Sequence, residues 1–253
     1  MHDLRSLRLP GLAALAFLVA AFTAHADDTI PTTDGDLVIH PVHHAALTLT
    51  WKGTVVLADP APHGKSADPA AEFKALPAPQ IILITHEHPD HFSPTVLEAI
   101  TGGATLVVPK DVFDKLPDDL KGKAKVLANG ESADIAGIKI EAVPAYNITT
   151  ERLGYHPKDR GDNGYVLTIG GKRIYIAGDT EDTPEMRALT GIDVAFLPMN
   201  LPYTMDITHA ADAVKALKPK IVYPYHYGDS DVNAFKTMVG TAADVRLLQW
   251  YPK

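Results

Sequence analysis

Short apolar segments alternate with stretches rich in Gly, Pro and polar residues along most of the chain, and this pattern predicts many short strands. Residues 81–84 are aliphatic throughout, which is typical of a strand buried on both faces. The pair Gly170-Gly171 separates two apolar segments and predicts a hairpin turn. The predicted strands cover residues 37–42, 45–51, 54–58, 80–85, 105–109, 125–128, 137–143, 164–169, 173–177, 193–197, 220–224 and 244–249.

Helices are predicted between some of these strands. Ser93 suits an N-cap and Pro94 suits the first turn of a helix that ends near residue 100. The other predicted helices cover residues 111–116, 184–189, 208–217 and 231–239. The chain therefore shows the same order twice, with strands and hairpins followed by alternating strands and helices. This order predicts an α/β domain over residues 27–253 with two similar halves, each a mixed sheet with helices on its outer face.

Two segments lack this periodicity and are expected to be irregular. Residues 27–35 are polar and predict a loose N-terminal tail, and residues 60–79 are rich in Pro, Ala and Lys and predict a loop.

The first 26 residues have the pattern of a secretory signal peptide. Arg5 and Arg8 precede an apolar run over residues 12–22, and an Ala-His-Ala sequence ends at Ala26. The apolar run is shorter than the roughly 20 residues that a membrane span needs. We therefore expect export by the Sec route, cleavage after Ala26 and a periplasmic or secreted protein without a stable membrane span.

The amino-acid composition limits the kinds of partner and of chemical site that the chain can have. The 253 residues include 23 Lys and Arg against 31 Asp and Glu, for a net charge of −8, and no basic run, which argues against nucleic-acid binding. The chain has 12 His and no Cys, which excludes disulfides, thiolate zinc sites and cysteine nucleophiles. Any metal site must therefore use His, Asp and Glu.

The strongest chemical signal follows residues 81–84 directly. The sequence Thr-His-Glu-His-Pro-Asp-His places His86, His88, Asp90 and His91 within six positions. Imidazole and carboxylate are the expected ligands for zinc or iron in a protein without Cys. A sharp turn after a buried strand can present His86 and His88 to one metal ion and Asp90 and His91 to a second. A solvated polar loop is the alternative, but such loops rarely follow an aliphatic strand.

Two more candidate ligands end predicted strands. Asp179 follows residues 173–177 and offers a carboxylate where two neighbouring cations would need a bridging anion. Its alternative role is a turn or helix-capping residue. His226 follows residues 220–224 and lies between two Tyr, where a merely packed His is the alternative.

Asp59 and the pair His43-His44 are candidates for supporting roles. Asp59 precedes a Pro and either orients a His ligand or belongs to a turn. His43 and His44 alternate faces on a predicted strand, so at most one of them faces the site. We expect that residue to be His44, as a substrate contact or as support for a ligand.

The cluster His86-x-His88-x-Asp90-His91 resembles the metal-binding motif of the metallo-β-lactamase superfamily. The segments that end at Asp59, Asp179 and His226 are similar to further landmarks of that superfamily and occur in the expected order. The segment at His44 and the Gly-Asp-Thr and His-Tyr-Gly sequences look most like the branch that contains ascorbate-phosphate lactonase and N-acyl phosphatidylethanolamine phospholipase D. The resemblance implies a four-layer αββα sandwich with a two-metal site at the edge between its halves.

One landmark of the superfamily is missing. Asn147 stands in a Pro-Ala-Tyr-Asn sequence where another His ligand is expected. Asn147 can ligate weakly through its carbonyl oxygen, His156 can replace the missing ligand from the following loop, or one metal is held poorly. We favour His156, with Asn147 and Tyr146 nearby as contacts of the substrate or of the ligands.

The resemblance implies a metal-dependent hydrolase that uses metal-activated hydroxide on a phosphodiester, ester or lactone bond of a small substrate. Two zinc ions per chain are expected, with one ion as an alternative and manganese or iron as alternative metals. Asp90 is expected to steer the nucleophile and take up its proton. The contrasting hypotheses are a non-catalytic or mononuclear metal-binding protein with a degenerate site, and an iron protein with redox chemistry. The oligomeric state is left open.

Additional polar groups are candidates for substrate contacts. Tyr146, Tyr203 and Tyr227 can donate hydrogen bonds to a developing oxyanion, although tyrosines more often pack. The loop 149–163 carries three cations that can receive an anionic group, but its acidic residues favour a solvated loop of mixed charge.

Overall fold

The computed structural model describes residues 27–64 and 68–251, so the predicted signal peptide lies outside the described residues. The described chain contains two seven-stranded sheets. The first sheet consists of β1 (Asp28–Thr32), β2 (Gly35–His43), β3 (Ala46–Trp51), β4 (Thr54–Ala58), β5 (Ile81–Leu83), β6 (Thr105–Val108) and β7 (Ala124–Val126). The second sheet consists of β8 (Ser132–Ile135), β9 (Ile138–Pro144), β10 (Asn163–Ile169), β11 (Lys172–Ile176), β12 (Val194–Pro198), β13 (Ile221–Tyr225) and β14 (Asp244–Val245).

The two sheets have the same pairing pattern. Neighbours in sequence are neighbours in each sheet, and the first four strands of each pair antiparallel. The last four strands of each pair parallel, because a helix or loop returns the chain to the same end before the next strand begins. The expectation of two similar halves is thereby confirmed.

Helices cover the outer face of each sheet. They are α1 (Ala71–Lys74), α2 (Pro94–Ile100), α3 (Lys110–Lys115) and α4 (Asp118–Lys121) in the first half, and α5 (Pro184–Arg187), α6 (Ile207–Leu217) and α7 (Val232–Val239) in the second. Ser93 caps α2 as its sequence predicts, since its side chain accepts a hydrogen bond from the Val96 amide. The described residues include no helix with the length and hydrophobicity that a membrane crossing requires.

Three apolar cores separate these layers. The central core combines side chains of both sheets, and each outer core lies between one sheet and its helices. Successive residues of β5 and Ile84, which follows it, alternate between two cores, with Ile81 and Leu83 in the central one and Ile82 and Ile84 against the helices. This is the two-sided burial that the aliphatic run predicts. The chain is therefore a four-layer αββα sandwich, as expected.

The predicted loose tail is wrong. Asp28–Thr32 pairs antiparallel with β2 along its whole length and places Ile30 in the central core. The Tyr223 hydroxyl donates a 2.6 Å hydrogen bond to the Asp28 carboxylate, and Arg246 contacts the same carboxylate at 3.0 Å. Ile30 is the one aliphatic residue of this segment, so the sequence shows no alternation that would predict a strand. The strand is held instead by contacts to residues that are distant in sequence.

Other differences concern short elements. The last strand is shorter than predicted, because only Asp244–Val245 pairs with β13 and the chain then turns so that Trp250 is buried. The hairpin partner β8 and the short helix α4 were not predicted, and α1 lies within the predicted loop 60–79. Each of these elements has five residues or fewer, too few for a recognisable period.

Candidate metal centre

The polar segments singled out in the sequence meet at one edge of the sandwich. Asp59 follows β4, the His86–His91 cluster follows β5, Asp179 follows β11 and His226 follows β13. These strands belong to the parallel part of each sheet, so their carboxyl ends lie at the same edge. The topology therefore brings together side chains that are up to 167 positions apart, from Asp59 to His226.

Gly178 lets the second sheet approach the His cluster closely. Its φ is +67°, and a Cβ at this position would lie 3.0 Å from the Thr85 Cβ. Only Gly adopts this conformation at such a short distance without strain. The amide of Gly178 donates a 2.8 Å hydrogen bond to the Tyr225 hydroxyl, and the next residue is Asp179.

Two groups of side chains lie at this edge, and each combines residues of both halves. In the first group, one nitrogen each of His86, His88 and His156 lie within 4.8 Å of one another. The same criterion joins a second group at the same edge, which consists of His44, Asp90, His91 and His226.

Asp179 lies between these two groups. Its Oδ1 is 3.4 Å from His91 Nε2. Its Oδ2 is 3.4 Å from His156 Nε2 and 3.3 Å from His226 Nε2. Burial raises the pKa of Asp179, but His226, His91 and His156 outweigh burial and lower it, so the carboxylate is ionised at neutral pH.

Several atoms of these groups are buried without a hydrogen-bond partner. They are Nε2 of His86, His91 and His226, Nδ1 of His226, and Oδ1 of Asp179. Each unpaired buried polar atom costs about 1–3 kcal/mol, so five of them in one place call for a ligand. Divalent metal ions bind imidazole nitrogens and carboxylate oxygens, and the side chains of both groups fit such ions.

His156 lies beside His86 and His88, and Asn147 holds the loop that carries it. The Asn147 amide donates a 2.8 Å hydrogen bond to the His156 carbonyl. The Asn147 side-chain Nδ2 donates to the carbonyls of Arg152 and Tyr203 at 3.0 and 2.7 Å. Replacement of the missing ligand by His156 stays a prediction.

Arg160 contacts one ring nitrogen each of His88 and His156, and Asp162 binds Arg160. Arg160 Nη2 lies 3.1 Å from His156 Nδ1, and its Nη1 lies 3.0 Å from His88 Nε2. The Arg160 Nε also donates a 2.8 Å hydrogen bond to the Asp162 carboxylate. These contacts leave His156 Nε2, which faces Asp179, available to a metal ion. Neither Arg160 nor Asp162 has a sequence signal for this role.

Asp59 orients the His91 ring through a hydrogen bond to its Nδ1. Its carboxylate accepts hydrogen bonds of 2.8 Å from the Thr85 amide, the Thr85 hydroxyl and His91 Nδ1. The Nε2 of His91 is thereby turned toward Asp179. Burial lowers the pKa of His91, but Asp179 and Asp59 raise it to about 10. Metal binding must displace this proton, so we expect metal affinity to fall as the pH falls.

His44 contacts Asp90, whereas His43 points elsewhere. His44 Nε2 lies 3.0 Å from Asp90 Oδ2, and His44 Nδ1 lies 2.8 Å from the Tyr251 hydroxyl. The ring is neutral at pH 7, because burial lowers the pKa of His44 to about 4. His43 instead contacts Glu72 at 2.8 Å, since β2 ends at His43 and His44 follows with φ of +51°. The predicted alternation on one strand is therefore wrong at His44.

The proton positions around His44 follow from these contacts. The ionised Asp90 carboxylate can only accept a hydrogen bond from His44 Nε2, so the neutral His44 ring accepts at Nδ1 from the Tyr251 hydroxyl, which itself accepts from the Gly228 amide at 3.1 Å. His44 Nε2 then carries the proton and donates it to Asp90. Tyr251 was missed in the sequence, because it lies far from every motif.

The hydroxyl of Tyr146 binds residues outside the two groups. That hydroxyl donates a 2.7 Å hydrogen bond to Glu185 and accepts one from Lys158 at 3.0 Å. The backbone of Tyr146 contributes instead, since its carbonyl accepts hydrogen bonds from Thr180 and Glu181 directly after Asp179. The candidate role of Tyr146 as a donor to an oxyanion is therefore corrected to a backbone contact.

Glu181 fixes the loop that leads to His156 and was also missed. Its carboxylate accepts 2.6 Å hydrogen bonds from the amides of Ile148 and Thr149, and Arg152 contacts it at 2.7 Å. Burial raises the pKa of Glu181, but these hydrogen bonds outweigh burial and lower it. Arg152 is thus paired and does not offer its charge to an anionic ligand.

A cavity of about 420 Å³ opens onto the two groups. Both groups and two loops contribute to its walls, which are formed by His44, His88, Pro89, Asp90, Tyr155, His156, Asp179, Asn200, Tyr203 and His226. The volume suits a small molecule.

Residues 38–226 match the family model described as a beta-lactamase superfamily domain. A metal-dependent hydrolase of Thermococcus onnurineus is 34% identical over 215 residues, which cover 81% of this chain and 93% of that relative. A metal-dependent hydrolase of Symbiobacterium thermophilum is 36% identical over 213 residues, which cover 80% of this chain and 89% of that relative.

A solved structure from Parabacteroides distasonis, named as a metal-dependent hydrolase, is also similar. It superposes with a TM-score of 0.81 and 41% identity, and the match covers 90% of this chain and 100% of that one. The narrower resemblance to the lactonase and phospholipase branch stays a prediction. The family model, the relatives and the fold agree that the chain belongs to the metallo-β-lactamase superfamily and is a metal-dependent hydrolase.

Proposed function

We propose that this hydrolase holds two divalent metal ions, zinc in the first instance, and cleaves an ester or lactone bond of a small substrate. The observation that carries the proposal is the position of Asp179, whose oxygens lie 3.3–3.4 Å from His nitrogens of both groups. Two cations about 3.5–4 Å apart need such a shared carboxylate. The proposed ligands are His86, His88 and His156 for one ion and Asp90, His91 and His226 for the other, with Asp179 common to both.

Bound divalent ions would lower the pKa of water toward 7 and polarise the substrate carbonyl. Burial raises the pKa of Asp90, but the neighbouring His226 and His44 outweigh burial and hold it well below its usual range. Asp90 is therefore ionised and can accept a hydrogen bond from the attacking water, which fixes the direction of attack. His44 holds Asp90 in place, and Tyr251 holds His44.

The charges around the cavity favour an uncharged substrate over a phosphodiester. None of the described residues that line the cavity is Lys or Arg. The three cations of the neighbouring loop are engaged by carboxylates, in the pairs Arg152–Glu181, Lys158–Glu185 and Arg160–Asp162. Enzymes that act on phosphate esters commonly aim free cationic side chains at the phosphate. A phosphodiester remains the second candidate, because metal ions themselves attract an anion.

Metal content and activity of the purified protein test this proposal together. We expect close to two zinc ions per chain by plasma mass spectrometry. We also expect faster hydrolysis of p-nitrophenyl acetate and δ-valerolactone than of bis-p-nitrophenyl phosphate. His88→Ala removes one proposed ligand and is expected to lower ester turnover by on the order of 10²-fold or more.

His209→Ala is the matched control, because His209 is exposed and pairs with Asp206 at 2.9 Å away from the cavity. This variant is expected to keep both its metal and its turnover. Survival of all turnover in His88→Ala would refute hydrolysis at this site. One metal or none, not restored by added zinc, would favour a mononuclear or non-catalytic binding protein, and iron would favour redox chemistry.

The protein is also proposed to be exported. Arg5 and Arg8, the apolar run over residues 12–22 and the Ala-His-Ala sequence that ends at Ala26 support this proposal. Expression of the full chain in a Gram-negative bacterium should yield a periplasmic protein whose intact mass corresponds to a start at Asp27. Uncleaved protein confined to the cytoplasm would contradict export.

A further inference from the structure

Exposed hydrophobic side chains are concentrated beside the cavity. The described residues include seven large hydrophobic side chains that are exposed, and five of them lie on the two loops over residues 147–156 and 199–206. These five are Ile148, Leu153, Tyr155, Leu201 and Tyr203, and we call them the apolar rim. A concentration of this kind next to a reactive centre is typical of a binding surface.

Two members of the apolar rim line the cavity itself. Tyr155 and Tyr203 share its wall with His156, Asp179 and His226. Their ring centroids lie 5.0 Å apart and the ring planes are inclined by 77°, an edge-to-face pair. Tyr155 and Tyr203 are 37% and 45% exposed, so apolar area faces solvent where a substrate would enter.

The backbone beneath the apolar rim is held firmly. Asn147 Nδ2 donates to the carbonyls of Arg152 and Tyr203 and thereby joins the two loops. The Tyr155 amide donates to the Arg152 carbonyl at 3.0 Å. A surface that is already ordered loses little conformational entropy when a ligand binds, so the two rings are arranged in advance.

We propose that Tyr155 and Tyr203 bind an apolar acyl group of the substrate, an alkyl chain or an aromatic ring attached to the carbonyl that reacts at the metal centre. The proposal rests on ester or lactone hydrolysis as the proposed function and names the class of ester. The apolar rim is continuous with the wall that carries His156 and Asp179, so an acyl group on it leaves its carbonyl at the candidate ligands. The lack of Lys and Arg among the described lining residues fits an uncharged acyl group.

A series of p-nitrophenyl esters tests the proposal on the zinc-loaded full-length protein. Acetate, butyrate and hexanoate differ only in the length of the acyl chain. Each methylene that is buried contributes about three- to fourfold in kcat/KM, so we expect about a tenfold increase for each pair of added carbons. Equal kcat/KM values for the three esters would overturn the proposal.

The double variant Tyr155→Ser/Tyr203→Ser tests the residues. It is expected to reduce the hexanoate-to-acetate ratio of kcat/KM from about 100 to below about 10. Both side chains are exposed, and the two residues are held through their own backbone amide or carbonyl, so the fold and the metal content should be retained. Met238→Ser is the matched control, because Met238 is 43% exposed on α7 outside the apolar rim, and its ratio should stay unchanged. A ratio that stays near 100 in the double variant would overturn the assignment to these two residues.

Hydroxamate binding separates failure of this proposal from failure of the proposed function. Calorimetry on the zinc-loaded protein should show benzohydroxamate binding about tenfold more tightly than acetohydroxamate, with the preference lost in the double variant. This preference without hydrolysis of any ester would refute the reaction but support the apolar rim. Equal binding would overturn the apolar rim even if esters were hydrolysed. Tyrosine-dependent sedimentation with phosphatidylcholine vesicles, together with equal ester rates, would overturn the proposal in favour of a membrane contact.

Discussion

Replacing Asp179 with asparagine is expected to remove at least one metal ion per chain and to lower ester hydrolysis by on the order of 10³-fold or more. The amide keeps the shape of the side chain but replaces an oxygen with a hydrogen-bond donor. That donor would lie about 3.3–3.4 Å from a His nitrogen, which is the present distance between the Asp179 oxygens and the nitrogens of His91, His156 and His226. Metal content by plasma mass spectrometry and kcat/KM for p-nitrophenyl acetate measure the two effects. Two retained ions and undiminished turnover would refute the bridging role.

Asp193→Asn is the matched control for this substitution. Asp193 is also buried, but it precedes β12 at the opposite edge of the sheet, where it accepts hydrogen bonds from the Arg173 amide and Lys220 at 2.9 and 2.7 Å. Burial raises the pKa of Asp193, but these partners outweigh burial and lower it. The control should lower the melting temperature at pH 7 without loss of metal. The difference from the parent should shrink as the pH falls through the lowered pKa, since protonation removes the same charge.

Replacing His156 with alanine is expected to weaken the binding of one metal ion by more than about 100-fold and to leave the other in place. Loss of a residue that only orients a ligand costs about 10- to 100-fold in metal affinity, so loss of a ligand should exceed that range. His156 Nε2 faces Asp179 at 3.4 Å, and the other two His of its group are half-buried or buried. Titration of the metal-free variant with zinc against a competing chelator measures the two affinities separately.

Asn147→Ala distinguishes the two explanations of the missing ligand. The Asn147 Oδ1 is buried without a hydrogen-bond partner, so it is the competing candidate for a ligand atom. If His156 is the ligand, Asn147→Ala should loosen the loop and lower the melting temperature while two ions still bind. Loss of one ion in Asn147→Ala and its retention in His156→Ala would assign the position to the Asn147 oxygen.

The fold could be predicted because its signals are local. The aliphatic run of β5, the Gly-Gly turn between β10 and β11, and the Ser-Pro start of α2 each occupy a few consecutive residues. The repeat of hairpins followed by strand–helix alternation then implies two halves and four layers. β1 shows the limit of such signals, because its place depends on pairing with β2 and on contacts to Tyr223 and Arg246.

The candidate site could be predicted only where its residues are contiguous or end a strand. His86, His88, Asp90 and His91 stand together in the sequence, and their proximity in space needs no knowledge of the fold. Tyr251 lies 207 positions from His44, and nothing in the sequence links the two. The supporting contacts of Glu181 and Arg160 likewise depend on how one loop closes, and that geometry has no period or motif.

The candidate ligands come from both halves of the molecule, so a metal ion bound by them would also hold the halves together. Each of the two groups takes most of its members from the first half and one from the second, which is His156 or His226, and Asp179 also belongs to the second half. Neither half alone carries a complete ligand set, so an ion held there is a cross-link between two units that have the same pairing pattern. A chain without cysteine has no covalent bond of this kind. If the backbone were cut between β7 and β8, the two fragments would be expected to reassociate more tightly with metal than without it.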